Sequence, residues 1–90
     1  MIGMVRTTHT LMRELRATAR NIQAEVPADL QGLRRAVALW NTETPVAGRR
    51  VLALIESAET DLKGDRRVAA LGHMRGAIEI VEQVKKLRGV

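Results

Sequence analysis

Apolar side chains recur along most of the chain at intervals of three and four residues, the spacing that places them on one face of an α-helix. The first such row contains Leu11, Leu15 and Ile22. Pro27 marks the end of this segment, because proline disfavours a helical conformation in the residue before it. The pattern predicts a helix over about residues 8–25.

Three further segments show the same spacing and are separated by residues that start or stop helices. Thr44 is suited to cap a helix whose first turn contains Pro45. Gly64 is suited to the left-handed conformation that often follows a helix, and Asp65 can cap the next one. These segments predict helices over about residues 28–41, 45–63 and 66–88.

The short connections between these helices favour antiparallel neighbours, so we expect a small antiparallel four-helix bundle in one domain, residues 1–90. The composition agrees with an all-α fold. Hydrophobic residues make up 46% of the chain, yet Trp40 is its one Trp, and it has neither Phe nor Tyr. Its core must therefore come from aliphatic residues and Met, which suits helices better than sheets.

The last predicted helix carries apolar residues over an arc of about 200°, roughly twice the width that a surface helix needs. Such a helix is either central in the bundle or in contact with another subunit. Near its end, Ile80, Val84 and Leu87 are candidates for an interface. We therefore expect a homo-oligomer or a component of a larger complex.

An RR-x-x-A-L pattern occurs three times, at residues 34–39, 49–54 and 66–71. Each copy lies near a predicted helix start, where the helix dipole disfavours positive charge. In one interpretation, the arginine stem packs along the core edge and the guanidinium stays in water. In the other, the guanidinium groups bind phosphate or carboxylate. The arginines concerned are Arg34, Arg35, Arg49, Arg50, Arg66 and Arg67.

A more ordered basic feature lies in the first predicted helix. His9, Arg13, Arg16 and Arg20 share one polar face with no acid among them. This spacing fits a helix that follows a phosphate backbone, although an ordinary solvated face has the same residues. The chain offers no exposed aromatic residue for base stacking, which disfavours sequence-specific recognition of RNA or single strands.

Catalytic and metal sites have little support in the sequence. The absence of cysteine excludes disulfides, thiolate ligands and a thiol nucleophile. No Glu-x-x-His pair exists to bind a metal between helices, and we expect His9 and His73 at the surface or its boundary. We therefore expect no catalytic residue, no metal and no cofactor. Carboxylate pairs one turn apart, which we expect to be solvated, are Glu56 with Glu59 and Glu79 with Glu82.

The net charge of +5 and the arginine faces point to an anionic partner. We expect a non-catalytic small helical assembly subunit that contacts the nucleic-acid backbone. The alternative is a protein-binding module, such as a small regulator or inhibitor that docks on an acidic protein surface. No apolar run is long enough to cross a bilayer, and we expect a cytoplasmic protein, although residues 1–24 also fit the composition of a mitochondrial targeting segment.

Overall fold

Four α-helices make up most of the structure, a computed structural model that describes residues 2–28 and 30–89. No strand occurs in these two ranges, so the predicted all-α class is confirmed. The helices are α1 (Ile2–Gln23), α2 (Leu30–Asn41), α3 (Pro45–Lys63) and α4 (Arg67–Arg88).

Each helix packs against two others. Helix α1 contacts α2 and α4, and α3 also contacts α2 and α4. The molecule measures 39 × 20 × 20 Å, so its long axis is close to the length of a 22-residue helix, about 33 Å. The four helices therefore lie side by side around a shared core.

Apolar residues from all four helices fill this core, and Trp40 is the largest of its fully buried side chains. The indole Nε1 of Trp40 donates a hydrogen bond to Oγ1 of Thr8 over 3.0 Å, which satisfies the polar atom that the ring carries into the core. Val26 lies beyond the end of α1 and is half exposed. The core includes Leu11, Leu15, Leu33, Val37, Val51, Ile55, Met74 and Val81.

Helices α1 and α3 end in backbone turns of the same type. The N–H of Val26 donates to the carbonyl of Asn21 over 2.8 Å, and the N–H of Arg66 donates to the carbonyl of Asp61 over 2.7 Å. In both turns the preceding residue has a positive φ of 60°. These features define Schellman motifs, which satisfy carbonyl groups at the helix end.

The second of these turns corrects the sequence prediction for residues 64 and 65. Gly64 has φ −91°, so it does not adopt the predicted left-handed conformation. Asp65 adopts it instead and does not cap α4, whose N-cap position is Arg66. The chain needs a left-handed residue one position later, because Gly64 still closes the last turn of α3 through its N–H bonds to Thr60 and Asp61.

The helix bounds agree best with prediction where proline and threonine mark the start. Helix α3 spans the predicted residues, although the Thr44 hydroxyl donates to the carbonyl of Trp40 over 3.0 Å rather than capping α3. Helix α1 begins six residues earlier than predicted and ends at Gln23. Helix α2 begins at Leu30 rather than at residue 28, and α4 at Arg67 rather than at residue 66.

Much of the wide apolar arc of α4 is covered by its two neighbours, α1 and α3. Met74 and Val81 are buried in the centre of the arc, whereas Ile78 and Ile80 are partly buried. A helix that packs against both α1 and α3 needs apolar residues over more of its circumference than a helix with one neighbour. None of the helices in the described ranges is long and apolar enough to cross a lipid bilayer.

Candidate nucleic-acid interface

Five basic residues form a row along the exposed side of α1, which we call the α1 basic stripe: Arg6, His9, Arg13, Arg16 and Arg20. All five side chains are exposed. Arg6, Arg13 and Arg20 follow one another at intervals of seven residues, so each lies about 10 Å along the helix from the next. The structure thus brings together the four residues that the sequence predicted for this face and adds one.

Arg6 is the added residue. The sequence prediction began α1 near residue 8, so Arg6 fell outside the helical face, whereas α1 begins at Ile2. Arg6 and Arg13 line a shallow depression of about 510 Å³ together with His9. The three-residue spacing between Arg6 and His9 could have placed Arg6 on the same helical face. The sequence prediction began the helix later because no capping residue type marks a start near Ile2.

One acidic side chain from α4 reaches the α1 basic stripe. Oε1 of Glu82 lies 2.6 Å from Nη2 of Arg16, and both side chains remain about half exposed. Ion pairs at such exposed positions contribute only about 0–1 kcal/mol to stability. A phosphate can therefore compete with Glu82 for Arg16.

Two lysines of α4 extend the positive surface beyond α1. Lys85 and Lys86 are exposed and line a depression of about 440 Å³ together with Met12 and Arg16. We call the α1 basic stripe with these two lysines the α1–α4 basic face. The sequence alone did not connect the lysines to α1, because their proximity depends on how α4 packs against α1.

Half of the arginines in the RR-x-x-A-L pattern hold carboxylates of the same chain. Arg34 of α2 binds two glutamates of α3, with Nη2 2.5 Å from Oε1 of Glu59 and Nη1 3.8 Å from Oε2 of Glu56. These glutamates are therefore not simply solvated, as the sequence had suggested, but join α2 to α3. The other two pairs are Arg66 with Asp61 at 3.4 Å and Arg67 with Glu25 at 2.8 Å.

The remaining three arginines of the pattern, Arg35, Arg49 and Arg50, are exposed and form no ion pair within residues 2–28 and 30–89. They lie on α2 and α3 rather than on α1. The structure therefore separates the predicted anion-binding residues into one continuous row on α1 and individual arginines on other helices.

A second polar cluster lies where α3 meets α4. Asp61 is only 8% exposed, and its Oδ2 lies 2.6 Å from Nδ1 of His73. Its other oxygen, Oδ1, accepts a hydrogen bond from Nε of Arg66 over 3.4 Å. Sequence reasoning missed Asp61, because nothing in the local pattern shows that the end of α3 is covered by α4.

Neither cluster has the composition of a metal site. In the described part of the chain, no three His, Asp or Glu side chains lie close enough to hold a metal ion. What the α1–α4 basic face can do chemically is donate charge-assisted hydrogen bonds from guanidinium and ammonium groups to an anion. Comparison of the chain with known protein families, curated proteins and solved structures finds no match.

Proposed function

We propose that this protein is a non-catalytic helical assembly subunit that binds the phosphate backbone of nucleic acid through the α1–α4 basic face. The observation that carries this proposal is the α1 basic stripe, in which five exposed basic side chains have one ion-pair partner within the described ranges, Glu82. Helices α3 and α4 carry charges of both signs.

The length of the stripe suits a repeating anionic ligand. The 14 residues from Arg6 to Arg20 correspond to about 21 Å along α1. Duplex DNA carries one negative charge per about 1.7 Å of its axis, so several phosphates lie within reach of the row. Arginine can donate two parallel hydrogen bonds to one phosphate, so each arginine of the row can bind a separate phosphate.

Ion pairs outside α1 reduce the number of arginines that are candidates for binding phosphate. For Arg34, Arg66 and Arg67, binding a phosphate requires breaking contacts with carboxylates of the same chain. Arg6, Arg13 and Arg20 have no such contact in the described ranges, so their donors can reach a ligand without that cost. These three arginines are the residues that the proposal depends on most.

The proposed binding is insensitive to base sequence. The chain has one Trp and neither Phe nor Tyr, and that residue, Trp40, is fully buried. Contacts to phosphates position a protein on nucleic acid but carry no sequence information directly. We therefore expect similar affinity for oligonucleotides of different sequence and a strong dependence on salt.

We also infer that neighbouring helices run antiparallel. Thr8 in the first half of α1 bonds Trp40 near the end of α2, and Ala47 at the start of α3 lines a depression with Leu87 at the end of α4. Short connections between packed helices favour this arrangement.

The test is fluorescence anisotropy with labelled oligonucleotides over a range of salt concentrations. It compares the parent protein with the triple variant Arg6→Ala, Arg13→Ala, Arg20→Ala. A control variant, Arg35→Ala, Arg49→Ala, Arg75→Ala, removes the same charge from exposed positions on the three other helices. We expect the α1 variant to reduce the slope of log K against log salt by about 2 to 3, and the control to change it much less.

Equal losses in the two variants would show that net charge alone drives binding, which contradicts a defined face. Absence of binding by the parent protein at low salt would exclude the nucleic-acid proposal. The alternative, docking on an acidic protein surface, would then be the hypothesis to test, with the same pair of variants and an acidic protein partner in place of the oligonucleotide.

A further inference from the structure

An apolar groove runs between α3 and α4. We call it the α3–α4 groove, and its apolar lining consists of Ala47, Leu54, Ile80, Val84 and Leu87. It encloses about 540 Å³. Leu87 is 84% exposed, although exposing a large apolar side chain to water is energetically unfavourable. The groove includes all three residues that the sequence predicted for an interface.

The two walls of the groove match level by level. A Cβ atom on Gly76 of α4 would lie 3.4 Å from Cδ1 of Leu54 in α3, so these residues face each other at one end. At the other end, Val46 and Ala47 at the start of α3 line a smaller depression with Leu87 at the end of α4. Apolar positions on α3 are therefore level with apolar positions on α4.

The walls of the α3–α4 groove itself carry opposite charges, while Arg88 of α4 lines the smaller depression at its end. Arg50 on α3 and Glu79 on α4 are both exposed and both line the α3–α4 groove. Neither takes part in an ion pair with another residue of the described ranges. The groove thus offers one positive group on one wall and one negative group on the other.

We propose that the α3–α4 groove binds a second copy of this chain, related to the first by a two-fold axis that runs parallel to the groove. Such an axis exchanges the two walls, so α3 of one copy lies against α4 of the other at the same level. Val46 then meets Leu87, and Arg50 meets Glu79, each twice by symmetry. A wholly acidic or wholly basic partner segment would instead place like charges together at one wall.

This dimer leaves the α1 basic stripe open, because the groove lies between α3 and α4 and no residue of α1 lines it. Turning by about 100° per residue around α4 places Lys85 about 140° from Ile80 and about 160° from Leu87, whereas Lys86 lies about 20° from Glu79 and borders the groove. The inference does not depend on the proposed function, because the two surfaces share no residue.

The first test is sedimentation equilibrium from low micromolar to millimolar protein in moderate salt. We expect the parent protein to show a concentration-dependent dimer. Leu87→Glu should shift the molecule to the monomer, and circular dichroism should confirm unchanged helix content, since Leu87 is already exposed. The matched control is Val68→Glu, which places the same charge on α4 at a position that is 85% exposed and outside the groove.

The second test uses the charged walls. Arg50→Glu and Glu79→Arg should each weaken dimerisation by about tenfold or more, because each creates two like-charge contacts across the axis. An equimolar mixture of the two variants should recover association, because every contact in the mixed dimer again joins opposite charges. Recovery on mixing would support the two-fold arrangement specifically.

Several results would overturn the proposal. These are a parent protein that stays monomeric at millimolar concentration, equal effects of Leu87→Glu and Val68→Glu, and charge variants that do not associate when mixed. Failure of nucleic-acid binding would leave these measurements unaffected, so the two proposals fail separately.

Discussion

Nδ1 of His73 in α4 lies 2.6 Å from Oδ2 of Asp61 near the end of α3. The other oxygen of Asp61 accepts a hydrogen bond from Arg66, which follows the left-handed residue of the α3 Schellman motif. In such motifs the residue at this position often makes an apolar contact with the last turn of the helix. Here an ion pair takes the place of that contact, and Asp61 joins α3, the turn and α4.

Replacing Asp61 should therefore cost more than replacing an exposed carboxylate. We expect Asp61→Ala to lower the free energy of unfolding by about 1–3 kcal/mol, measured by urea denaturation, because it removes the shared acceptor of His73 and Arg66. Glu79→Ala, measured below the dimer concentration range, should change stability by less than about 0.5 kcal/mol. A double-mutant cycle with His73→Ala should show a coupling energy, and strict additivity would contradict a direct interaction.

Arg34 and Arg35 are adjacent in sequence but differ in environment. Arg34 holds Glu56 and Glu59 of α3, whereas Arg35 is exposed and has no ion pair in the described ranges. Arg34→Ala leaves two carboxylates one turn apart without a counter-charge, so we expect a loss of about 1 kcal/mol that shrinks as salt rises. Arg35→Ala should stay within about 0.5 kcal/mol. Equal effects on thermal unfolding would contradict the assignment.

Replacing either of two helix glycines with alanine should change the stability of the fold, in opposite directions at the two positions. A Cβ atom on Gly48 would lie 2.8 Å from Cβ of Asn41, closer than unstrained packing allows, whereas a Cβ atom on Gly72 would extend into open space. We expect Gly48→Ala to destabilise the fold by about 1–3 kcal/mol through overpacking between α2 and α3. Gly72→Ala should stabilise it by up to about 1 kcal/mol through helix propensity. Urea denaturation of both variants gives the two signs directly.

Asp65 has a φ of 60° at an exposed turn position, a conformation that glycine adopts without steric strain. We therefore expect Asp65→Gly to raise the melting temperature, with a gain of up to about 1 kcal/mol. Asp65→Ala should lower it, because alanine has neither the freedom of glycine nor the local hydrogen bonding of aspartate in this region. A variant pair with the reverse order would indicate that the Asp65 side chain makes a specific contribution.

Local signals predicted some features of the fold well. Helix α3 was delimited correctly because the ring of Pro45 fixes its own φ and so acts locally, whereas Thr44 and Gly64 flank the helix without the predicted side-chain cap and left-handed conformation. The bounds of helix α1 were predicted less well, because no strong start signal lies beside Ile2 and no strong stop signal lies beside Gln23. The nearest stop signal is Pro27, but the chain leaves the helix earlier, in a turn where Glu25 has a positive φ.

The candidate site shows the same division. The spacing of Arg13, Arg16 and Arg20 sufficed to place them on one face, since helical periodicity is a property of one segment. The ion pairs of Arg34 with Glu56 and Glu59 could not be predicted from periodicity. Its contacts depend on which turn of α3 lies beside α2, and that alignment is decided by packing between residues distant in sequence.

The buried indole of Trp40 gives the molecule a built-in optical reporter. The chain contains one tryptophan and no tyrosine, so its near-ultraviolet emission comes from a single position. That ring is bonded to Thr8, whose helix also carries the basic stripe. A ligand that draws α1 away from α2 would expose the indole to water and shift its emission to longer wavelengths, without any attached dye.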